Sequence, residues 1–369
     1  MGDSGHQFNN DLLMNPGDLD RVERAFPGMA NVISHVALRD AFRRFDRPAN
    51  AAKRKSRIAG LVAILLGTIA LAIAAAATLE AQGLAVVSAV CGVASIIIGL
   101  GGVLYAGAKR RWLCNRVMTE RLRQFHFQAF ICRWREITAS FAGLDAAQAY
   151  IALRETWFDR FMAPYPGQAD AELTDLLDDE TVSKCWLHPE PDLPRPGEVI
   201  PDLEGLFAAY HDLRIMHQLH YANYKLRSDQ NMFSWPLRLQ EVIFSYTILV
   251  CILAIFLIHL WIAVSVALGG RIPGLEPLLF HYKSENIHIV VIWVAIAALA
   301  IRALQEGLQP EREIERYRHY RAGVRAVRDR FDDARSPTEK LEVMLEMERL
   351  SFDEFRNFLR SSNEARFVI

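Results

Sequence analysis

The sequence lacks most of what a catalyst needs. It has no P-loop, no nucleophile elbow, no Rossmann glycine signature and no paired carboxylates placed for acid–base work. Its five cysteines, Cys91, Cys114, Cys132, Cys185 and Cys251, show no CxxC pair and no metal-ligand spacing. Two stand in apolar runs, where a thiol behaves as a small hydrophobe, so all five are expected to be reduced and structural. An excess of one charge is also missing. With 42 Lys and Arg against 43 Asp and Glu, the formal net charge of −1 gives no electrostatic case for a nucleic-acid partner. Residues 1–26 lack a basic segment followed by an apolar core, so no cleavable signal peptide is expected. The Met-Gly start carries His6 where myristoylation calls for Ser or Thr. No metal and no cofactor is implied.

What the chain does have is apolar sequence in blocks. Residues 287–304 read IHIVVIWVAIAALAIRAL, with Arg302 the single charge and near the end. At about 1.5 Å per residue this run just crosses a bilayer's hydrocarbon core. Comparable runs cover 58–79, 84–106 and 242–268. Proton relays, carriers and voltage sensors place ionisable groups at depth, and the near absence of such groups here argues against a carrier. The expected fold is an all-α membrane protein with four transmembrane helices in two hairpins and long helical cytosolic extensions. The expected segments are a helical stretch at 1–52, hairpins at 53–111 and 241–304, and cytosolic helices at 112–240 and 305–369.

Lys53, Arg54, Lys55 and Arg57 precede the first run, and Lys109, Arg110 and Arg111 follow the second; the tip between them, 80–83, has no base. The positive-inside rule then predicts a multi-pass protein of the bacterial inner membrane with both termini cytoplasmic. In the second run, Ser88, Gly92, Ser95 and Gly99 form a small-xxx-small ridge that admits close approach of another helix. That helix belongs either to the same hairpin or to another subunit of a homo-oligomer.

Outside the apolar runs the helical stripes carry charge in unexpected places. From Trp112 to about Ser140, the residues Trp112, Arg116, Glu120, Arg123, Phe127, Ile131 and Trp134 share a face. Burying two Arg and one Glu in an aromatic stripe is costly unless they pair, so the cluster is either a structural ion network or an anion-binding site. Leu203 to Arg227 presents Leu203, Phe207, Tyr210, Arg214, His217, Tyr221 and Tyr224. His211, His217 and His220 lie there without an HExxH pattern, and a zinc site is not expected. Asp175, Asp178 and Asp179 read as a solvated acidic face. Between them, the proline-rich 188–201 is a connector that marks the boundary between the two halves.

After Pro310 the apolar positions are Ile314, Tyr317, Tyr320, Val324, Val327 and Phe331. Ser336-Pro337-Thr338-Glu339 is a capping box, and the helix behind it shows Leu341, Leu345, Glu348, Phe352, Phe355 and Leu359 on one stripe. Glu348 sits mid-stripe, where Arg321 and Arg325 of the preceding helix are expected to reach it as an ion pair. The same arginines, with Arg116 and Arg123, are the ligand-binding set if the site takes an anion.

The run Arg316-Tyr317-Arg318-His319-Tyr320-Arg321, then residues 348–360 (ERLSFDEFRNFLR), then Ala365-Arg366-Phe367-Val368, resembles the SLATT group and related SMODS-associated transmembrane effectors of bacteria. Residues 50–140 look like a more diverged copy of the plan at 203–369; the insert at 141–202 departs from it. The resemblance implies a role in antiviral defence. A pore-forming membrane effector would act when a cyclic nucleotide, another nucleotide signal or a partner sensor protein engages its cytosolic helices. The alternative is a non-catalytic membrane scaffold or sensor that binds a cytosolic protein.

Overall fold

Residues 58–76, charge-free and rich in Ala, Leu and Ile, are the second half of a 41-residue helix, α3 (Val36–Ala76). It follows two short ones, α1 (Pro16–Ala25) and α2 (Ala30–Ile33). The computed structural model describes residues 11–14, 16–76, 82–101, 106–178, 185–191, 193–195, 198, 200–227, 237–268 and 285–364. The described residues are helical throughout, apart from turns and connectors, and contain no strand. The remaining helices are α4 (Gln82–Gly99), α5 (Ala106–Cys132), α6 (Trp134–Ala139), α7 (Leu144–Met162), α8 (Tyr165–Asp178), α9 (Glu204–Tyr210) and α10 (His217–Arg227). They end with α11 (Leu237–Leu268), α12 (Glu285–Leu308), α13 (Pro310–Asp333) and α14 (Pro337–Glu364). A π-helical turn, His211–Met216, joins α9 to α10.

The chain divides into two units. The first gathers Met1–Ala51, Arg110–Asp229 and Ile314–Asn363, so the three expected cytosolic segments come together in one body. The proline-rich connector therefore separates no halves: both its flanks belong to this unit. His188 anchors it through a 2.8 Å bond to the Phe125 carbonyl, and the Leu187 amide donates to Gln128 at 2.8 Å.

At the centre of this unit stands α5. The sequence suggested a one-sided stripe, but every residue from 121 to 131 is buried. A helix covered on all sides needs no polar face, which is why its apolar pattern is weak. Leu122, Phe125, Phe127, Phe130 and Ile131 pack into one core with Phe42, Phe158, Tyr210, Val324 and Met344. The stripe of α13 is buried as expected, from Ile314 to Phe331. The capping box of α14 is formed: the Glu339 amide donates to Ser336 Oγ at 3.2 Å, and the Ser336 amide to Glu339 Oε2 at 3.1 Å.

The second unit, Ala52–Lys109 with Gln230–Glu313 and Glu364–Ile369, holds the apolar runs. Three helices are long and apolar enough to cross a membrane; their apolar windows lie in α3, in Val242–Val264 and in the stretch beginning at Ile287. A fourth apolar helix, Gly83–Gly99, is shorter. The sequence reading extended it to residue 106. The regular α-helix ends at Gly99, π-helical backbone continues to Gly101, and residues 102–105 lie outside the described residues. Large apolar side chains face outward here, among them Leu65, Val86, Ile97, Leu249, Phe256 and Leu299. The loop expected at 269–284 and residues 365–369 lie outside the described residues.

Candidate functional site

The charges that break the α5 stripe are all engaged within the first unit. Arg116, Glu120 and Arg123 fall at i, i+4 and i+7, so they share a face by helical geometry. Arg123 Nη1 donates to both oxygens of Glu120, at 2.8 and 2.9 Å, and its Nε to Asp11 Oδ2 at 2.7 Å. Arg116 reaches Glu120 at 2.8 Å and lies 3.7 Å from Asp46. Burial would raise the Glu120 carboxyl, but Arg123 and Arg116 outweigh it and hold the group at about 2. Burial likewise opposes the Arg123 cation, and Asp11 and Glu120 more than compensate. This is an ion network that ties the N-terminal segment to the central helix. Its carboxylates occupy the donors that an anionic ligand would need.

Glu348 is fully buried and paired, but not by the expected arginines. Its partner is Arg214, which donates through Nε at 2.8 Å and Nη2 at 3.0 Å, while the Tyr210 hydroxyl adds a 2.8 Å bond. Arg325 is exposed on α13 and Arg321 half-buried. The reason is placement: the helical stretch 204–227 packs its stripe against the same core as the stripe of α14, and Arg214 is the cation on that stripe. The Arg214 guanidinium stacks over Phe127, 4.8 Å from the ring centre. Burial works against its charge, and Glu348 and Tyr210 raise its affinity for the proton above the ordinary value.

Sequence reasoning missed other members of this polar interior. Arg121, at the core, pairs with Glu172, which also takes the Tyr165 hydroxyl. Of the acidic face, Asp175 and Asp178 are exposed, and Asp179 lies outside the described residues. Arg154 donates to the carbonyls of Asn31 and Val32 at 2.7 and 3.2 Å. Among the described residues three histidines are buried: His35, His126 and His188. Burial and then Arg154 press His35 down to about 2 and His126 to about 3; burial, with Arg133 adding to it, takes His188 to about 4. Glu155 lies 3.3 Å from His35 Nε2, but it is also held by Arg154, and the pair offers His35 no aligned hydrogen bond.

His211, His217 and His220 do not converge. His211 stacks on Phe331 and lies 3.4 Å from Asp332, His217 lies 3.8 Å from Asp11, and His220 is exposed. Among the described residues, no three His, Cys, Asp or Glu side chains are grouped as metal ligands. All five cysteines are free.

In the second unit, the small-residue ridge of α4 meets α3. Ser88 Oγ donates to the Ala70 carbonyl at 2.8 Å and Ser95 Oγ to the Ala63 carbonyl at 2.7 Å. A Cβ on Gly92 would lie 3.8 Å from that of Ala70, and one on Gly99 the same distance from Ala63. As α4 numbers rise the α3 numbers fall, so the two helices run antiparallel. Trp293 Nε1 adds a 2.9 Å bond to the Ala72 carbonyl, joining α12 to the same helix. No protein-family model, no curated protein and no solved structure matches this chain.

Proposed function

We propose that this chain is a membrane effector of bacterial defence. Its four apolar helices sit as two hairpins in the inner membrane, with both termini on the cytosolic side, and they open or perturb that membrane as a homo-oligomer when the helical unit is engaged. One observation carries the reading: outward-facing apolar surface is concentrated in the second unit, while the first has a closed, ion-paired interior without a catalytic constellation among the described residues. A lone copy has little polar surface for an aqueous path: Ser88, Ser95 and Thr68 are spent on helix carbonyls, and Ser245, Thr247, His259 and Ser265 are the few polar side chains that the 242–268 run adds. Polar lining therefore has to come from several copies or from helix ends. The resemblance to SLATT-type effectors points the same way.

A second reading, a membrane scaffold that senses a cytosolic protein, draws on a specific feature. Arg116 and Arg123, half of the arginines a nucleotide would use, are already neutralised by Glu120, Asp11 and Asp46. Of the other two, Arg321 is half-buried and Arg325 exposed. Inducible expression in a bacterium, with dye uptake and membrane potential followed with and without candidate nucleotides, tests the two. The effector reading expects depolarisation and dye entry on triggering; intact membranes under every trigger, with a protein captured by the helical unit, would replace it with the scaffold.

A further inference from the structure

The face of α3 that becomes apolar at Ile58 begins as a basic one. Arg54 and Lys55 are exposed, and the exposed apolar positions continue their side of the helix at Ile58, Val62, Leu65 and Ile69, each three or four residues on. Arg54, Lys55 and half-buried Arg57 have no carboxylate partner among the described residues, and the sequence holds no acid between Asp46 and Glu80. Exposed Arg302, at the far end of α12, by contrast has Glu306 at 3.1 Å. Three helical steps from Lys55 to Ile58 rise about 4.5 Å. A headgroup layer is roughly 5–8 Å thick on each side of the hydrocarbon core, so the cations fall within it when Ile58 enters the acyl region.

We infer that Arg54, Lys55 and Arg57 bind the headgroups of anionic phospholipids, making this chain's attachment selective for an acidic leaflet. This rests on the reading of residues 58–76 as a membrane span and adds the chemistry of the lipid. Each cation near an anionic surface contributes about a five-fold preference, so three give on the order of 100-fold.

Lipid binding to the full-length protein in mild detergent, counted by native mass spectrometry, tests this with phosphatidylglycerol and phosphatidylcholine of identical chains. The expected result is a preference for phosphatidylglycerol on the order of 100-fold at low salt, shrinking as salt rises to 1 M, where screening acts over about 3 Å. Arg54→Gln/Lys55→Gln/Arg57→Gln should bind both lipids alike, its retained phosphatidylcholine binding showing that it is folded. Arg318→Gln/Arg325→Gln, which removes two exposed cations of the other unit, should keep the preference. Equal binding of both lipids by the parent, or a preference surviving the triple substitution, overturns the inference and leaves the span reading intact. Displacement of phosphatidylglycerol by millimolar inorganic phosphate would make the site one for free phosphate and also overturn it. Failure to bind either lipid removes the span reading, and this inference with it.

Discussion

Arg214 clasps Glu348 with two parallel bonds, Nε to Oε1 at 2.8 Å and Nη2 to Oε2 at 3.0 Å, at a point where neither side chain meets solvent. The fork geometry is the strongest form of this pairing. It is set in a π-helical turn, and wide turns of this kind re-aim side chains that a regular α-helix would place elsewhere. Tyr210, the residue before that turn, completes the carboxylate's shell.

Removing one member of such a pair strands the other charge away from water, at a cost of about 3–5 kcal/mol. Glu348→Ala and Arg214→Ala should each lower the unfolding free energy of the helical unit, read from urea titration, by an amount in that range. The double substitution Arg214→Met/Glu348→Leu should cost far less than the two single losses added together, because no charge is then stranded. Additive losses in the double-mutant cycle would show that the two side chains act independently.

Stability of the first unit should fall on mild acidification. His35, His126 and His188 have an ordinary value of 6.5 and folded-state values of about 2, 3 and 4. In the window between, the unfolded chain binds protons that the folded chain refuses. Their stabilising effect is thus complete above about 6.5 and is lost as pH falls through that value toward the folded ones. Each histidine gives at most about 1.4 kcal/mol per pH unit, or about 4 for three. Glu120, held at about 2 from an ordinary 4.5, acts in a lower window: its contribution is present above 4.5 and lost below. Melting temperature measured from pH 7 to 5 should drop in the first window, before Glu120 matters. His126→Phe, which also removes an unpartnered buried nitrogen, should take away about a third of the slope in that window. An unchanged slope would assign the acid sensitivity to other groups.

How much of this was legible in the sequence follows from what each signal depends on. The three longer apolar helices, the α13 stripe and the α14 capping box depend on residues near one another in sequence, and they appear where spacing put them. The partner of Glu348 depends on which helices meet in space, which spacing does not encode. One signal did exist: Arg214 breaks the Leu203–Tyr224 stripe as Glu348 breaks its own, and two opposite charges stranded on apolar stripes are natural partners. Asp11 gave no such hint, because its stripe is too short to have a period. The burial of α5 on every side was hidden for the opposite reason, since Arg121, Gln124, His126 and Gln128 look like a solvent face until their partners are known.

The ridge on α4 separates two outcomes for the membrane unit. Ser88 and Ser95 already bond α3, and Gly92 and Gly99 bring Cβ positions within 3.8 Å of Ala70 and Ala63. A leucine at either glycine extends beyond that Cβ into α3, so Gly92→Leu/Gly99→Leu should force the two helices apart within one copy. Ser88→Ala/Ser95→Ala removes only the hydroxyl bonds, worth about 0.6 kcal/mol each in a membrane, and should be mild. The expected outcome is a lower melting temperature in detergent for the leucine pair, with the number of subunits found by crosslinking unchanged. That outcome would assign the proposed self-association to another surface, such as the exposed side of α4 at Val86, Val90, Val93 and Ile97. If the leucine pair instead leaves the melting temperature alone and abolishes crosslinking, the ridge contacts a second copy in the membrane, and the α3–α4 packing gives way to it.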